Sequence, residues 1–552
     1  MSRLKRLIDE LRRRRVFRVG GAYAVVAFVI WQAAEIAVPG LNLPGWVLTL
    51  VILLTVLGLP IALVLAWALE VTPEGVRRTE AAAVETSMTS SEVREGKSIA
   101  VLPFANMSDD PESEYFSDGM TEEIINALTQ LKDLRVAART SCFAFKGKAP
   151  HISDVGDKLN VATVLEGSVR KSENKLRITA QLINVADGYH LWSERFDREM
   201  EDVFAIQDEI ARAIADKLQI TLGGPVVEQL VRPSTENLEA YDLYLKGRFY
   251  VTQGGEGPVK GLECFRQALD CDPHFGLAHA GIAEAYVWLG NIGGLRPKEA
   301  IPKARDAANR ALELDETLSE AHMIMGLVNW TYDFEWSNAE KQFLRSLELN
   351  PNLALAHSSY GFFLASIGRF EESLAELQRG VELDPLSQVA NTWLGQVLGW
   401  LRRFPDAIDR LRIARELEPT SWHANHQLGL AYRINSNYPE AIEALQTAMA
   451  LAGRHPWSLM ELSLAHVATG STAQAEAICD ELVARSRSEY VPPTTIAFAS
   501  AALGRVDEAF DWLERAYEER DTLLNWVNLI PHYEPLRDHP RFDMLLDKMR
   551  LR

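Results

Sequence analysis

Cysteine is scarce: the 552 residues hold four, Cys142, Cys264, Cys271 and Cys479. So thin a supply excludes a disulfide-stapled scaffold and points to free thiols in a reducing compartment. Cys264 and Cys271, with His274 and His279 after them, match no zinc spacing, so no metal site is expected. Catalytic signatures are missing as well. The chain has no phosphate-cradling P-loop, no GxSxG elbow, no HExxH helix and no kinase glycine loop with a matching catalytic loop. The acidic run Asp109, Asp110, Glu112 and Glu114 lacks the glycine and terminal glutamate of a calcium hand and reads as a solvated loop. The expectation is a protein without enzymatic activity, catalytic residues or cofactor.

Positive charge is short everywhere except at one end. Residues 1–18 carry eight Arg or Lys against Asp9 and Glu10, a local +6, which leaves −25 on the remainder of a chain whose formal charge is −19. An acidic body cannot displace counterions from phosphates over a large footprint, which excludes nucleic acid as a partner. The basic tip suits an anionic membrane lipid instead, with Arg12, Arg13, Arg14, Arg15 and Arg18 as the lipid contacts. Two apolar stretches follow, 19–38 and 46–69, each long enough to cross about 30 Å of hydrocarbon as a helix. Between them "PGLNLPG" is a tight uncharged turn. Residues 19–70 are thus expected to form a transmembrane hairpin. Its flanking arginines, including Arg77 and Arg78, place both ends and the soluble domains on the cytoplasmic side of the bacterial inner membrane.

Residues 71–96 and 223–237 are polar or rich in Gly and Pro and read as linkers. Between them, 97–222 reads as one α/β domain. "SIAVLPF" is a strand, "DGMTEEIINALTQL" (118–131) a helix capped by Thr121 or Asp118, "LRVAART" a strand and "ISDVGDKL" a short helix. "VATVLEGSVRKSENKLRITAQLINVADGYHLWSERFDRE" alternates like an antiparallel meander, and "FAIQDEIARAIADKL" (204–218) closes the domain as an amphipathic helix. The densely polar stretch "DGYHLWSERFDRE" (187–199) reads as a turn at Asp187 and Gly188, then a strand covered on both sides, with Glu194 pairing to an arginine. His190 and Trp192 are its candidate ligand contacts.

From 238 to 520 the sequence repeats. Pro351, Pro385 and Pro419 recur every 34 residues. Gly361, Gly395 and Gly429 share one offset, Ser373, Ala407 and Ala441 a second, and Gly380, Ala414 and Ala448 a third. Self-similarity of this period marks a solenoid of helix pairs, none of which can bury its apolar face alone. The units resemble tetratricopeptide repeats, about eight of them, with 521–552 as a terminal cap. The resemblance implies a binding face built from the first helix of each pair. Its candidate residues are Met323, Trp330, Phe362, Gln396, Trp400, His423, His426, Arg433, Trp457 and Met460. The Lys, Arg and Asn clamp of repeats that grip a carboxylate-terminated chaperone tail is absent.

Segments of 97–222, among them "IAVLPFANMSDDPESEYFSDGMTEEIINAL", "VAARTSCFAFKGK" and "DVFAIQDEIA", resemble the TolB amino-terminal-like domain. In bacteria this domain is found ahead of tetratricopeptide repeats. Similar proteins carry a cyclase catalytic domain, a winged-helix domain or a kinase at the amino end; here the tip and the apolar stretches stand in that place. The expected fold class is therefore multi-domain: a two-helix transmembrane hairpin, an α/β TolB-like domain and an all-α repeat solenoid. The expected function is a membrane-anchored cytoplasmic adaptor that binds a protein partner through the repeat groove. The alternatives are a signalling regulator acting on a cyclase or transcription factor in trans, and a structural protein that assembles as a homo-oligomer.

Overall fold

The computed structural model describes residues 97–551 except 109–113, 132, 173–174, 200–202, 221–234, 252–256 and 292–294. Before residue 97 it describes only Trp46, Leu53, Thr55 and two strands, β1 (Leu69–Thr72) and β2 (Gly75–Arg78), which pair antiparallel with Thr72 opposite Gly75. The linker read over 71–96 therefore begins with a hairpin. A short ladder satisfies backbone groups without an apolar period, so periodicity alone does not reveal it. The basic tip with Arg12, Arg13, Arg14, Arg15 and Arg18, and nearly all of 19–38 and 46–69, lie outside the described residues. Among the described residues no helix is long and apolar enough to cross a membrane.

The domain from residue 97 is a mixed sheet with helices. Its elements are β3 (Ser98–Val101), β4 (Ala105–Asn106), α1 (Glu114–Thr129), β5 (Arg135–Val136), α2 (Arg139–Phe143), α3 (Ile152–Leu159), β6 (Thr163–Ser172), β7 (Lys175–Asn184), β8 (His190–Glu199) and α4 (Val203–Lys217). Strand order is β5-β3-β6-β7-β8, with β4 beside β6; β3 runs parallel to β5 and β6, and the last three strands form an antiparallel meander. β3 is buried throughout, as a central parallel strand with an unbroken apolar run should be. α1 starts at Glu114 rather than at the Asp118 or Thr121 cap read from the sequence. Thr121 lies about two turns inside, where its Oγ donates to Ser117 O and accepts from the Phe104 N–H. Asp118 is buried and ion-paired with Lys146. Both residue types cap helices well, but each found a tertiary partner instead.

Among the described residues sixteen helices follow as eight consecutive pairs between Leu238 and Glu519. Those used below are α5 (Leu238–Val251), α6 (Gly257–Cys271), α7 (Gly276–Asn291), α8 (Pro297–Leu314), α9 (Ser319–Val328), α10 (Trp336–Leu349), α11 (Ala354–Ser366), α12 (Phe370–Leu383), α13 (Gln388–Trp400), α14 (Phe404–Leu417), α15 (Trp422–Ile434), α16 (Tyr438–Ala452), α17 (Pro456–Ala468), α18 (Thr472–Arg485), α19 (Pro493–Ala502) and α20 (Val506–Glu519). The repeating glycine is a point of close approach within each of these pairs. A Cβ on Gly395 would lie 2.7 Å from Leu411 Cγ and 3.2 Å from Ala407 O; Gly361 and Gly429 meet Leu377 and Leu445 in the same way. Gly395→Val is expected to destabilise by about 1–3 kcal/mol through overpacking, measured by chemical denaturation. A neutral result would show that α13 and α14 can separate freely.

The sheet domain and the repeats share one core, in which Tyr241, Tyr244 and Leu245 of α5 and Phe265 of α6 join Ile124 and Leu128 of α1. Polar bonds fix the docking. Asn352 Nδ2 donates to Thr129 O and Leu134 O (3.1 and 3.0 Å), and the Ser141 N–H and Oγ–H both donate to Asp384 Oδ1 (2.9 and 2.6 Å). Buried Glu122 is held by Arg139 and Arg248. Asn350, Asp384 and Glu418 each precede a repeat proline, and two of these three turns carry the contacts to the sheet domain.

A candidate protein-docking face

The first helix of each repeat pair sends its apolar side chains to one inner face, and the array curls until its last pair meets the second and third. Arg296 and Glu519 form an ion pair at 3.7 Å, and the Tyr517 ring stacks on Phe334 at 5.9 Å. The space enclosed is filled by the chain itself. Two 3-10 turns, Thr522–Trp526 and Pro531–Leu536, and helix α21 (Pro540–Lys548) run back across the inner face. Trp526 is seated among Trp330 (5.0 Å between ring centroids), Phe362 (4.9 Å) and Trp400 (5.0 Å). The Asn525 Nδ2 reaches Thr331 O, Arg402 pairs with Glu534, and the Trp336 indole donates to Met549 O.

This corrects the open groove expected from the sequence. Met323, Trp330, Phe362, Trp400 and Met460 are buried members of the central core rather than a free surface. The reason is the apolar content of 522–549, where Leu524, Trp526, Val527, Ile530, Tyr533, Leu536, Phe542, Leu545 and Met549 are all buried. At about 1.5–3 kcal/mol for each large apolar side chain, nine of them outweigh the roughly 8 kcal/mol that a micromolar ligand releases. The segment fills the inner face as a plug.

Arg433 and His426 also serve the interior. Glu461, on α17, accepts from Arg433 and lies against His532 of the plug. Burial alone would raise the Glu461 carboxyl, but Arg433 and then His532 hold it well below the usual carboxylate range. His426 is buried beside Ser458 (3.3 Å), and desolvation brings its imidazole down to about 3. His423 falls to about 4 by burial and then by the neighbouring His455. Both rings are neutral at physiological pH.

One part of the inner face stays open. Trp422 and His423 at the start of α15, and His455 and Trp457 around the start of α17, are only half-buried. Trp422 lies 4.3 Å from His455 and 6.2 Å from Trp457. Beside them, Trp457 Nε1 and Gln427 Oε1 are buried without a hydrogen-bond partner, a state that costs free energy until a ligand or water supplies one. Gln396 is half-buried on α13, one pair earlier. Sequence reading found His423, Gln396 and Trp457 but missed Trp422, Gln427 and His455. The only available signal was the aromatic and imidazole density of "SWHANHQ" and "RHPW".

The other sequence candidates lie elsewhere. β8 is not covered on both sides: of its ten residues only Phe196 is buried, and among the described residues it is the edge strand of the sheet. His190 is exposed, and Trp192 leans on Phe196 at 6.4 Å and donates its indole N–H to Glu194 (3.2 Å), so Glu194 takes an indole instead of the expected arginine. The four cysteines are free thiols, three of them buried. Among the described residues no group of three His, Cys, Asp or Glu is placed to hold a metal.

Comparison with known proteins divides the chain in the same way. Residues 95–213 match the family model of the HilA/YgeH-like transcriptional regulator, second domain, and 392–456 and 426–490 match a tetratricopeptide repeat. A putative adenylate cyclase 3 from Rhizobium meliloti (strain 1021) is 39% identical over 237 residues, which is 42% of this chain and 40% of that protein. The transcriptional regulator HilA from Salmonella typhimurium is 24% identical over 282 residues, 50% of this chain and 49% of the relative. The alignments thus span less than half the length of these curated relatives. Among solved structures, YrrB, described as a TPR protein with an unusual peptide-binding site, aligns at 21% identity and a TM-score of 0.25 over 36% of this chain and 97% of its own. A human IFIT1 dimer with PPP-AAAA aligns at 15% and 0.40 over 57% and 78%. The chain joins a mixed-sheet domain that matches the HilA/YgeH-like second-domain model to tetratricopeptide repeats, and it is similar in part to proteins named as a cyclase and as a transcriptional regulator.

Proposed function

We propose that the protein is a membrane-tethered adaptor in which the repeats hold a protein partner at the open end of the inner face. The carrying observation is the half-buried cluster Trp422, His423, His455 and Trp457, with an indole N–H and an amide oxygen buried beside it and unpaired. Tetratricopeptide repeats are protein-interaction scaffolds, and aromatic anchors flanked by unmet polar groups are the composition of an interface hot spot. The apolar stretches 19–38 and 46–69 and the arginines around them support an anchor in the inner membrane with the soluble part in the cytoplasm. Tethering would confine the search for a partner to the membrane plane and raise its effective concentration.

The test is partner capture by the full chain. Trp422→Ala and Trp457→Ala are expected to lower recovery of bound protein at least tenfold, since hot-spot truncations cost about 2 kcal/mol or more, while the unfolding midpoint moves little. Unchanged recovery would remove the cluster from the docking face. A second reading is favoured by the names of the relatives: a regulator whose sheet domain senses a small ligand and acts on a cyclase or transcription factor in trans. A ligand-induced thermal shift that persists in Trp457→Ala would favour it.

A further inference from the structure

We infer that strand β8 is a self-complementary edge through which two copies of this chain pair, antiparallel, about a two-fold axis at Phe196. This goes beyond the docking face and uses none of its residues.

β8 is ten residues long and ends the sheet, with β7 on one side and no strand on the other among the described residues. Tyr189 and Leu191, at its start, are 74% and 42% exposed. Unpaired backbone along such an edge is a template for another strand. The irregularity in the β7–β8 ladder falls between Leu182 and Ile183, so from Trp192 onward the strand is regular. Its even-numbered side chains share the face packed by α4, where Trp192 meets Phe196 and Arg198 lies 3.8 Å from Glu209. The odd-numbered side chains share the open face, where Asp197 pairs with Arg177 and Arg195.

A two-fold axis normal to the sheet keeps each face on its own side, so residues opposite one another must have the same parity. The permitted registers are therefore those centred on a residue. Centring on Glu194, Arg195, Asp197 or Arg198 places that charge against its own copy, which is destabilising for directly opposed residues. Centring on Glu199 likewise opposes like charges, and centring on His190, Leu191, Trp192 or Ser193 sets no carboxylate opposite an arginine within the strand. Centring on Phe196 sets Glu194 opposite Arg198 of the second copy and Arg195 opposite its Asp197, and the symmetry repeats both. The sequence "ERFDR" thus reads as minus, plus, apolar, minus, plus. That order attracts itself at every charged position only when it runs antiparallel. A strand charged merely to stay single would gain nothing from this order.

The experiment is sedimentation velocity of the full chain in detergent over a range of concentrations, with circular dichroism as the control for folding. The native chain is expected to self-associate. Arg195→Asp or Asp197→Arg alone opposes like charges across the axis and should weaken association at least tenfold. The double exchange of both residues restores opposite charges in the pair and should recover it. A native chain that stays monomeric, single variants that associate as the native chain does, or a double exchange that fails to recover association would each overturn the inference. Partner capture measured on the same variants separates this outcome from the fate of the docking face.

Discussion

Replacing Trp526 with alanine is expected to cost about 3–5 kcal/mol of stability and to loosen repeats that lie far from it in sequence. The indole is 9% exposed and meets Trp330, Phe362 and Trp400, which come from the third, fourth and fifth helix pairs. Each aromatic contact at such a separation adds to the burial itself. A solenoid whose repeats touched only their neighbours would respond locally to a change at its end. Here the loss is expected to appear in hydrogen exchange across α9, α11 and α13 as well as at 522–536, and in the denaturant midpoint. Trp526→Phe should recover most of the difference, because the pocket is apolar and aromatic. A cost under about 1 kcal/mol, with exchange altered only after residue 521, would show that the plug is a loosely held tail.

Glu461 carries the second large effect. Its side chain is buried on α17 between Arg433 of α15 and His532 of the plug, so one carboxylate ties two repeats and the returning chain together. Glu461→Gln leaves Arg433 beside a neutral partner in the interior, and removing one member of a buried ion pair costs about 3–5 kcal/mol. The pH dependence has a defined sign. The folded carboxyl lies below its ordinary value of 4.5. Its stabilising contribution is therefore present above that value and is lost as pH falls through the folded value. His423 and His426, depressed by burial, act in the same direction below their ordinary 6.5, because folding keeps them neutral while the unfolded chain takes up their protons. Between about pH 6.5 and 5, native and Glu461→Gln chains should lose stability in parallel. Below about pH 4.5 the native chain should fall faster and the gap should close. A constant gap down to the lowest pH would mean that Glu461 is not the group being protonated.

Much of the fold is legible in the residues, and the reason is local. The 34-residue recurrence of Gly361, Gly395 and Gly429 reports a close approach inside each helix pair, a contact spanning few residues. The alternation through "VLEGSVRKSENKLRITAQLIN" likewise reports a ladder whose strands are joined by a short turn. The site was legible only in part. His423, Gln396 and Trp457 could be placed on the first helices, but Trp330, Phe362 and Trp400 looked available because helix periodicity states which face a residue occupies and not what arrives to cover it. Asp118 and Thr121 looked like caps for a similar reason: capping chemistry is visible in sequence, whereas the Lys146 and Phe104 partners that draw these residues into the interior are not.

By itself, the sequence determined the helix pairs, the sheet-forming segments, the segregation of charge and the absence of any catalytic signature, since each follows from spacing within about one repeat. The closing of the array on itself, the seating of 522–549 against its inner face and the docking of the sheet domain on Asn352 and Asp384 were decided only in three dimensions. Asn525 and Thr331, which touch across the closed array, are 194 residues apart, and Ser141 and Asp384 are 243 apart. At such separations no periodic pattern links the partners, and only the apolar area that each surface must hide selects which other surface will hide it.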